Sequence, residues 1–199
     1  MSQLTLKLRD LNSSMVMAWR RAFLGCEGVE VSGGDIFGER ADAIVSPANS
    51  FGYMDGGIDL VYSQFFGWDL QTRLQERLRN EHQGELPVGS ALIIDTRHAE
   101  IPWLVSAPTM RIPMSVSDTV NAWLAFRATL RAVLEHNAAH PGRPIRSLLC
   151  PGLCTAVGRM PPERAARQMR HAWNVVVLGQ PWPPASPGAT LQAHFDLIA

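Results

Sequence analysis

Apolar and polar positions alternate over short stretches and then recur at helical spacing, and the two patterns succeed one another along the chain. Leu4 to Leu8 alternates apolar with polar residues, the period-two signature of a strand. Asn12-Ser13-Ser14 then offers a helix cap, with Met15, Trp19, Ala22 and Phe23 on one face before Gly25 ends the helix. Val29 to Val31 predicts a second strand, and the apolar run Ala43 to Val45 a third, buried one. After Gly57 a helical pattern covers Ile58 to Phe66. Gly67 interrupts it, and Leu70, Leu74 and Leu78 mark an amphipathic helix over Trp68 to Asn80.

Ala91 to Asp95 and Trp103 to Ala107 predict two more strands, and Met110 to Ser117 is irregular around Pro113. A long helix is expected from about Val120 to His136, and a buried strand over Ile145 to Cys150. Pro161-Pro162-Glu163 opens a helix that runs to about Val177, because proline fits the first helical turn. Gly179 to Gly188 holds four prolines and reads as a surface segment, with a short docked helix expected over Ala189 to Ile198. Strands alternating with helices imply an α/β sheet layered between helices, in which ligands sit at the carboxyl ends of strands. No repeat or linker splits the chain. The expected organisation is one domain over residues 1–178, with residues 179–199 packed on it or trailing it.

Eighteen basic and eighteen acidic residues cancel, so no global field draws the chain to nucleic acid or anionic lipid. A polyanion would have to be held in a compact pocket. No apolar run approaches a membrane span, and Met1 to Leu11 lacks the basic-then-apolar pattern of a signal peptide. Cys26, Cys150 and Cys154 are too few and too odd for a disulfide framework, so a cytoplasmic chain with reduced thiols is expected. The six histidines are scattered without ligand spacing, and no metal site is expected.

Three loops at predicted strand ends carry candidate chemistry. Gly34-Asp35-Ile36 offers a carboxylate able to accept from an exocyclic amine; the plainer reading is a turn in which the aspartate bonds its own backbone. The second loop runs from Ala48 and Asn49 through Asp55-Gly56-Gly57-Ile58 to Asp59. Its glycines permit close backbone approach to a ligand, and strand, Gly-rich loop, helix is an anion-binding arrangement. Asn49 suits a sugar hydroxyl. Asp59 would hold a hydroxyl or act as a base on water, if burial raises its pKa. The third loop, Gly152-Leu153-Cys154-Thr155-Ala156-Val157-Gly158-Arg159, joins a buried strand to a helix start, which is a phosphate-cradle layout. It is neither a Walker A loop nor a dinucleotide G-x-G-x-x-G.

Together these loops resemble the macrodomain family, the ADP-ribose-binding α/β/α module. Gly34-Asp35-Ile36 resembles the family's G-D-I element. Ser46-Pro47-Ala48-Asn49 stands at its N-A-A-N, with Ser46 in place of the first asparagine. Gly56-Gly57-Ile58-Asp59 resembles the G-G-V-D of hydrolytic members, and Pro87-Val88-Gly89-Ser90-Ala91 the P-x-G-x-A strand entry. Thr155 to Pro161 stands at the second phosphate loop, S-T-G-x-Y-G-x-P, with Ala156 replacing a glycine and Gly158 the aromatic beside the distal ribose. Some members that reverse DNA ADP-ribosylation carry a lysine in the glycine loop; Gly57 stands near that position here. The resemblance implies a three-layer α/β/α macrodomain with a mixed central sheet and no cofactor. It implies a partner that is ADP-ribose or an ADP-ribosylated macromolecule. Asp35 would meet adenine, backbone N–H groups of the two loops the pyrophosphate, Asn49 the distal ribose, and Asp59 the attacking water. Hydrolysis of an ADP-ribosyl or O-acyl-ADP-ribose bond is the activity so implied; a non-catalytic reader is the alternative.

Overall fold

The computed structural model describes residues 4–199. Its elements are β1 (Thr5–Asp10), α1 (Ser13–Ala22), β2 (Val29–Gly33), a 3-10 turn (Ile36–Gly38), β3 (Ala43–Ser46), α2 (Gly57–Phe66), α3 (Asp69–His82), β4 (Leu92–Asp95), β5 (Trp103–Ser106), α4 (Asn121–Ala139), β6 (Ser147–Cys150), α5 (Pro162–Val176) and α6 (Pro187–Ile198). The expected elements are all present, with ends moved by a few residues. The largest shift is at α4, which runs to Ala139; β6 starts at Ser147 because Ile145 is held outside the ladder by Asn137.

The strands form one sheet in the order β2-β1-β6-β3-β5-β4. All neighbours are parallel except β4 and β5, so the sheet is mixed with its antiparallel strand at one edge. Side chains of the central strands alternate between two cores, as the pleat requires. Ala43, Val45, Val105, Leu148 and Cys150 join a core with α1, α4 and α5; Ile44, Leu104 and Leu149 join another with α2 and α3. Three layers result. On β1 only one face is apolar: Leu6 and Leu8 enter the first core, whereas Lys7 and Arg9 reach Glu39 beside the 3-10 turn. This explains why the first strand reads as alternating and the third as continuously apolar.

Local chemistry sets the helix starts. The Asn12 side chain accepts from the Ser14 N–H at 2.9 Å and caps α1. Pro161 precedes α5, and Pro162 occupies its first turn. The segment over residues 179–199 packs on the domain. Trp182 lies against Trp123 and His171, and Leu197 of α6 is buried in the first core. Gln168, fully buried on α5, ties three pieces together. Its Nε2 donates to the Thr119 and Leu197 carbonyls, and its Oε1 accepts from the Trp123 N–H.

Leu74 is fully buried against Gly52, whose positive φ of 68° places the loop before α2 directly on α3. Leu74→Ala should therefore destabilise the domain by about 2–5 kcal/mol. The check is chemical denaturation, with a lower midpoint and an unchanged slope expected.

Candidate functional site

A cleft of about 270 Å³ opens at the carboxyl ends of β3 and β6. Three loops line it: Pro47 to Asp59 after β3, Thr109 to Pro113 after β5, and Gly152 to Gly158 after β6. The β3–β5 ladder continues past both strands and fixes the first two loops to each other. The Ala107 N–H donates to Ser46 O at 3.0 Å, Thr109 N–H to Ala48 O at 2.9 Å, and Ser50 N–H to Arg111 O at 3.1 Å. The third loop is held at both ends. Gly152 N–H donates to the Asp10 carboxylate at 2.9 Å, and Val116 N–H donates to Gly158 O at 2.8 Å.

Two walls of the cleft carry unpaired backbone donors. Helix α2 begins at Gly57 with Gly56 as a cap that offers no side-chain acceptor. Among the described residues, the N–H groups of Asp55 to Asp59 donate to no protein group, and the same holds for Cys154 to Gly158. Unpaired backbone donors beside a concave surface require water or a ligand as acceptor. Those on α2 also carry the positive end of the helix dipole. The arrangement suits an anion held between two loops.

Asp59 lies in the first turn of α2, lines this cleft and is only 6% exposed. Burial pushes its carboxyl from the ordinary 3.8 to about 7, against a hydrogen bond from Ser46 that pulls the other way. The Ser46 hydroxyl donates to Asp59 Oδ1 at 2.6 Å. The second oxygen has no protein partner among the described residues and is not sealed from solvent. A carboxyl half-ionised near neutral pH with one free oxygen is chemically suited to exchange a proton with water.

Asn49 also lines the cleft, but its amide is largely spent on its own loop. Its Oδ1 accepts from the Phe51 and Tyr53 N–H groups at 3.0 and 3.3 Å, and its Nδ2 donates to Tyr53 O at 2.8 Å. Asn49 thus braces the turn that brings the half-exposed Tyr53 to the cleft. Cys154 lines the cleft with a buried thiol pushed up to about 12, and Cys150 is raised too, so neither is a thiolate near neutral pH. At Gly158 an added Cβ would stand 2.4 Å from the Cys154 carbonyl oxygen. No side chain fits there without moving the loop.

Of the residues singled out from sequence, Ala48, Asn49, Asp55, Gly56, Gly57, Ile58, Asp59, Gly152, Cys154, Thr155, Ala156, Val157 and Gly158 line this one cleft. Gly34, Asp35, Ile36, Leu153 and Arg159 do not. Ile36 and Leu153 are buried in the two cores, and Arg159 is exposed in a left-handed turn. Asp35 is exposed at the end of β2, where its carboxylate caps the Phe37 N–H at 3.0 Å. Its carbonyl accepts from Arg9, whose guanidinium packs against Gly34 and Gly38. Tyr53, Thr109, Met110 and Pro113 line the cleft without having been anticipated. Pro113 inside an irregular stretch was the one local signal for the loop after β5.

A three-layer α/β/α domain with its cleft at the carboxyl ends of the strands defines a class of α/β modules. Within that class, the model of the macro-like domain matches residues 27–183, and the chain belongs to the macrodomain family. A macro domain-containing protein of Streptomyces coelicolor is 31% identical over 143 residues, covering 70% of this chain and 79% of its own length. One of Cupriavidus necator is 30% identical over 144 residues, covering 70% and 76%. Among solved structures, the macrodomain of Mycobacterium tuberculosis DarG superposes with a TM-score of 0.60 at 20% identity, covering 72% of this chain and 88% of that one. The Oceanobacillus iheyensis macrodomain with ADP gives 0.57 at 22% identity, covering 70% and 72%. Thermosipho africanus DarTG in complex with ADP-ribose gives 0.56 at 18% identity, covering 79% and 44%. These likenesses agree with the fold described above. Helix α6 lies beyond the matched family span.

The raised pKa of Asp59 has a sign that can be tested. A carboxyl whose folded pKa exceeds its unfolded one stabilises the fold below about pH 4, and that contribution is lost as pH rises through about 7. Asp59→Asn removes the penalty of a buried charge, so the variant should gain stability over the wild type towards about pH 8. The gain should be up to ~4 kcal/mol and should vanish near pH ~4. Denaturant titrations at the two pH values measure it.

Proposed function

We propose that this macrodomain binds ADP-ribose and hydrolyses an ADP-ribosyl or O-acyl-ADP-ribose bond at the distal ribose. One observation carries the reading: unpaired backbone donors of two facing loops share a cleft with a buried carboxyl titrating near neutrality. The pyrophosphate lies between the loop Asp55 to Asp59 and the loop Cys154 to Gly158, as their shortage of acceptors demands. Asp35 serves the adenine amine from outside the cleft. The distal ribose reaches the part lined by Asn49, Tyr53 and Asp59. Asp59 takes the proton from a water as that water attacks. For an acyl-linked ADP-ribosyl group the water attacks the anomeric carbon, the bond to the acyl oxygen breaks, and the carboxylate departs without needing a proton; for O-acyl-ADP-ribose the water attacks the acyl carbon, and the proton taken by Asp59 is returned to the departing ribose oxygen. Such general-base help, with positioning in a desolvated cleft, supplies roughly 10²–10⁴-fold. The absence of lysine throughout Asn49 to Asp59 argues against a lysine nucleophile.

A second reading, a non-catalytic ADP-ribose reader, draws support from two positions. Gly158 leaves no aromatic beside the distal ribose, and the Asn49 amide is engaged by its own loop.

The two readings separate on incubation with ADP-ribosylated protein, ADP-ribosylated DNA and O-acetyl-ADP-ribose, alongside calorimetry with free ADP-ribose. Turnover lost in Asp59→Ala, with most ADP-ribose affinity kept, is the expected result. Binding without turnover by the wild type sinks the hydrolase reading, and wild-type turnover by Asp59→Ala removes the base assignment. Asp35→Ala should weaken ADP-ribose about tenfold through loss of a charge-assisted hydrogen bond. An unchanged affinity removes its adenine role.

A further inference from the structure

Ser46 occupies the last position of β3, fully buried, and its side chain makes one contact of consequence, the 2.6 Å donation to Asp59 Oδ1. Its backbone is fixed to β5. Ser46 pairs in register with Ser106 of β5, and its carbonyl accepts from Ala107. Asp59, by contrast, follows Gly56 and Gly57 at an uncapped helix start, with open space around both glycines. A carboxylate on so lightly held a turn has little to fix its side-chain angle, whereas the end of a central strand is among the stiffest places in the domain.

We propose that Ser46 is a positioning residue for Asp59, holding Oδ1 against the end of β3 so that only Oδ2 is presented to the cleft. The inference rests on the reading of Asp59 as the group that faces the scissile bond. A serine hydroxyl has a single proton, and in this orientation that proton goes to the carboxylate. The bond therefore favours the ionised form, the one able to take a proton from water, in surroundings that otherwise disfavour charge. It also removes one of the two equivalent oxygens from competition, so the proton from water arrives at a single defined atom.

The titratable groups around the pair supply no alternative source of this effect. Tyr62, one turn along α2, donates its hydroxyl to Val45 O at 3.0 Å and is itself raised by burial and then by Asp59. Cys150 at the end of β6 and Asp10 at the end of β1 act on Tyr62 in the same direction. None of these is a cation. Among the groups acting on Asp59, Ser46 alone favours its charged form.

The experiment follows the Asp59 carboxyl carbon by NMR in the full chain labelled at aspartate, with Asp59→Asn identifying the resonance. A midpoint near 7 is expected for the wild type. Ser46→Ala should raise it by about one pH unit, the loss of one charge-assisted hydrogen bond. Ser46→Thr, which keeps the hydroxyl, should restore it. Where turnover is measurable, the acid limb of kcat/KM should move upward with the titration, cutting the rate near pH ~7 about fivefold, as the ionised fraction falls by that factor for such a shift. An unshifted midpoint in folded Ser46→Ala overturns the proposal. Should that variant fail to fold, Ser46→Cys, of similar volume but a weaker donor, must show a smaller upward shift, and none overturns it equally. The titration reads the pairing and the turnover assay reads the hydrolase, so the two readings fail separately.

Discussion

A sheet covered by helices on both faces has no place for polar chemistry except at the ends of its strands. In this protein that constraint decides where everything of interest lies. The central strands bury alternate side chains in two cores, and their backbone groups are consumed by parallel ladders. Beyond the ends of β3 and β6, the loops carry backbone donors without protein acceptors among the described residues, at Asp55 to Asp59 and Cys154 to Gly158. The three loops that leave β3, β5 and β6 are pinned to one another by continuations of the ladder and by the Asp10 and Val116 contacts. The cleft is therefore a product of the sheet rather than of any one loop.

The same constraint explains what the chain itself disclosed. The fold was legible because burial on both faces forces continuous apolar runs in the central strands, and helices facing the sheet must carry stripes. Asp59, Gly56 and Gly57 were legible because a strand, a glycine-bearing loop and a helix follow one another without interruption. Tyr53, Thr109, Met110 and Pro113 were not. The last three come from beyond β5, and the β3–β5 ladder, continued past Ser46 and Ser106 to the Asn49–Met110 bridge, brings that segment alongside Asn49. No local pattern encodes such a neighbour. Leu153 failed for the opposite reason: within a loop whose glycines and polar residues face the cleft, its apolar side chain turns into the core.

Family likeness and local geometry meet unequally along the cleft. At Gly56 to Asp59 the residues resemble hydrolytic members and the geometry is that of a dipole-bearing, uncapped turn. At Gly158 the departure from the family pattern is built into the packing, because the Cys154 carbonyl and Val116 occupy the space a side chain would need. Val116 is in turn bonded to Gly158. A residue without a side chain at position 158 is what leaves room for Val116 to dock on this loop.

That docking gives the buried Gln168 a wider meaning. One amide side chain joins residue 119, the start of α4 and the last turn of α6, while Arg164 on the same helix bonds Asp118. The wall of the cleft is thereby coupled, through Val116 and Gly158, to a helix outside the matched family span, in the manner of a buttress. The conformational entropy of that wall is surrendered when the chain folds, so little of it is left to be lost when a ligand arrives. Under the proposed ADP-ribose reading, the peripheral helix works as stored preorganisation, placed away from the cleft it steadies.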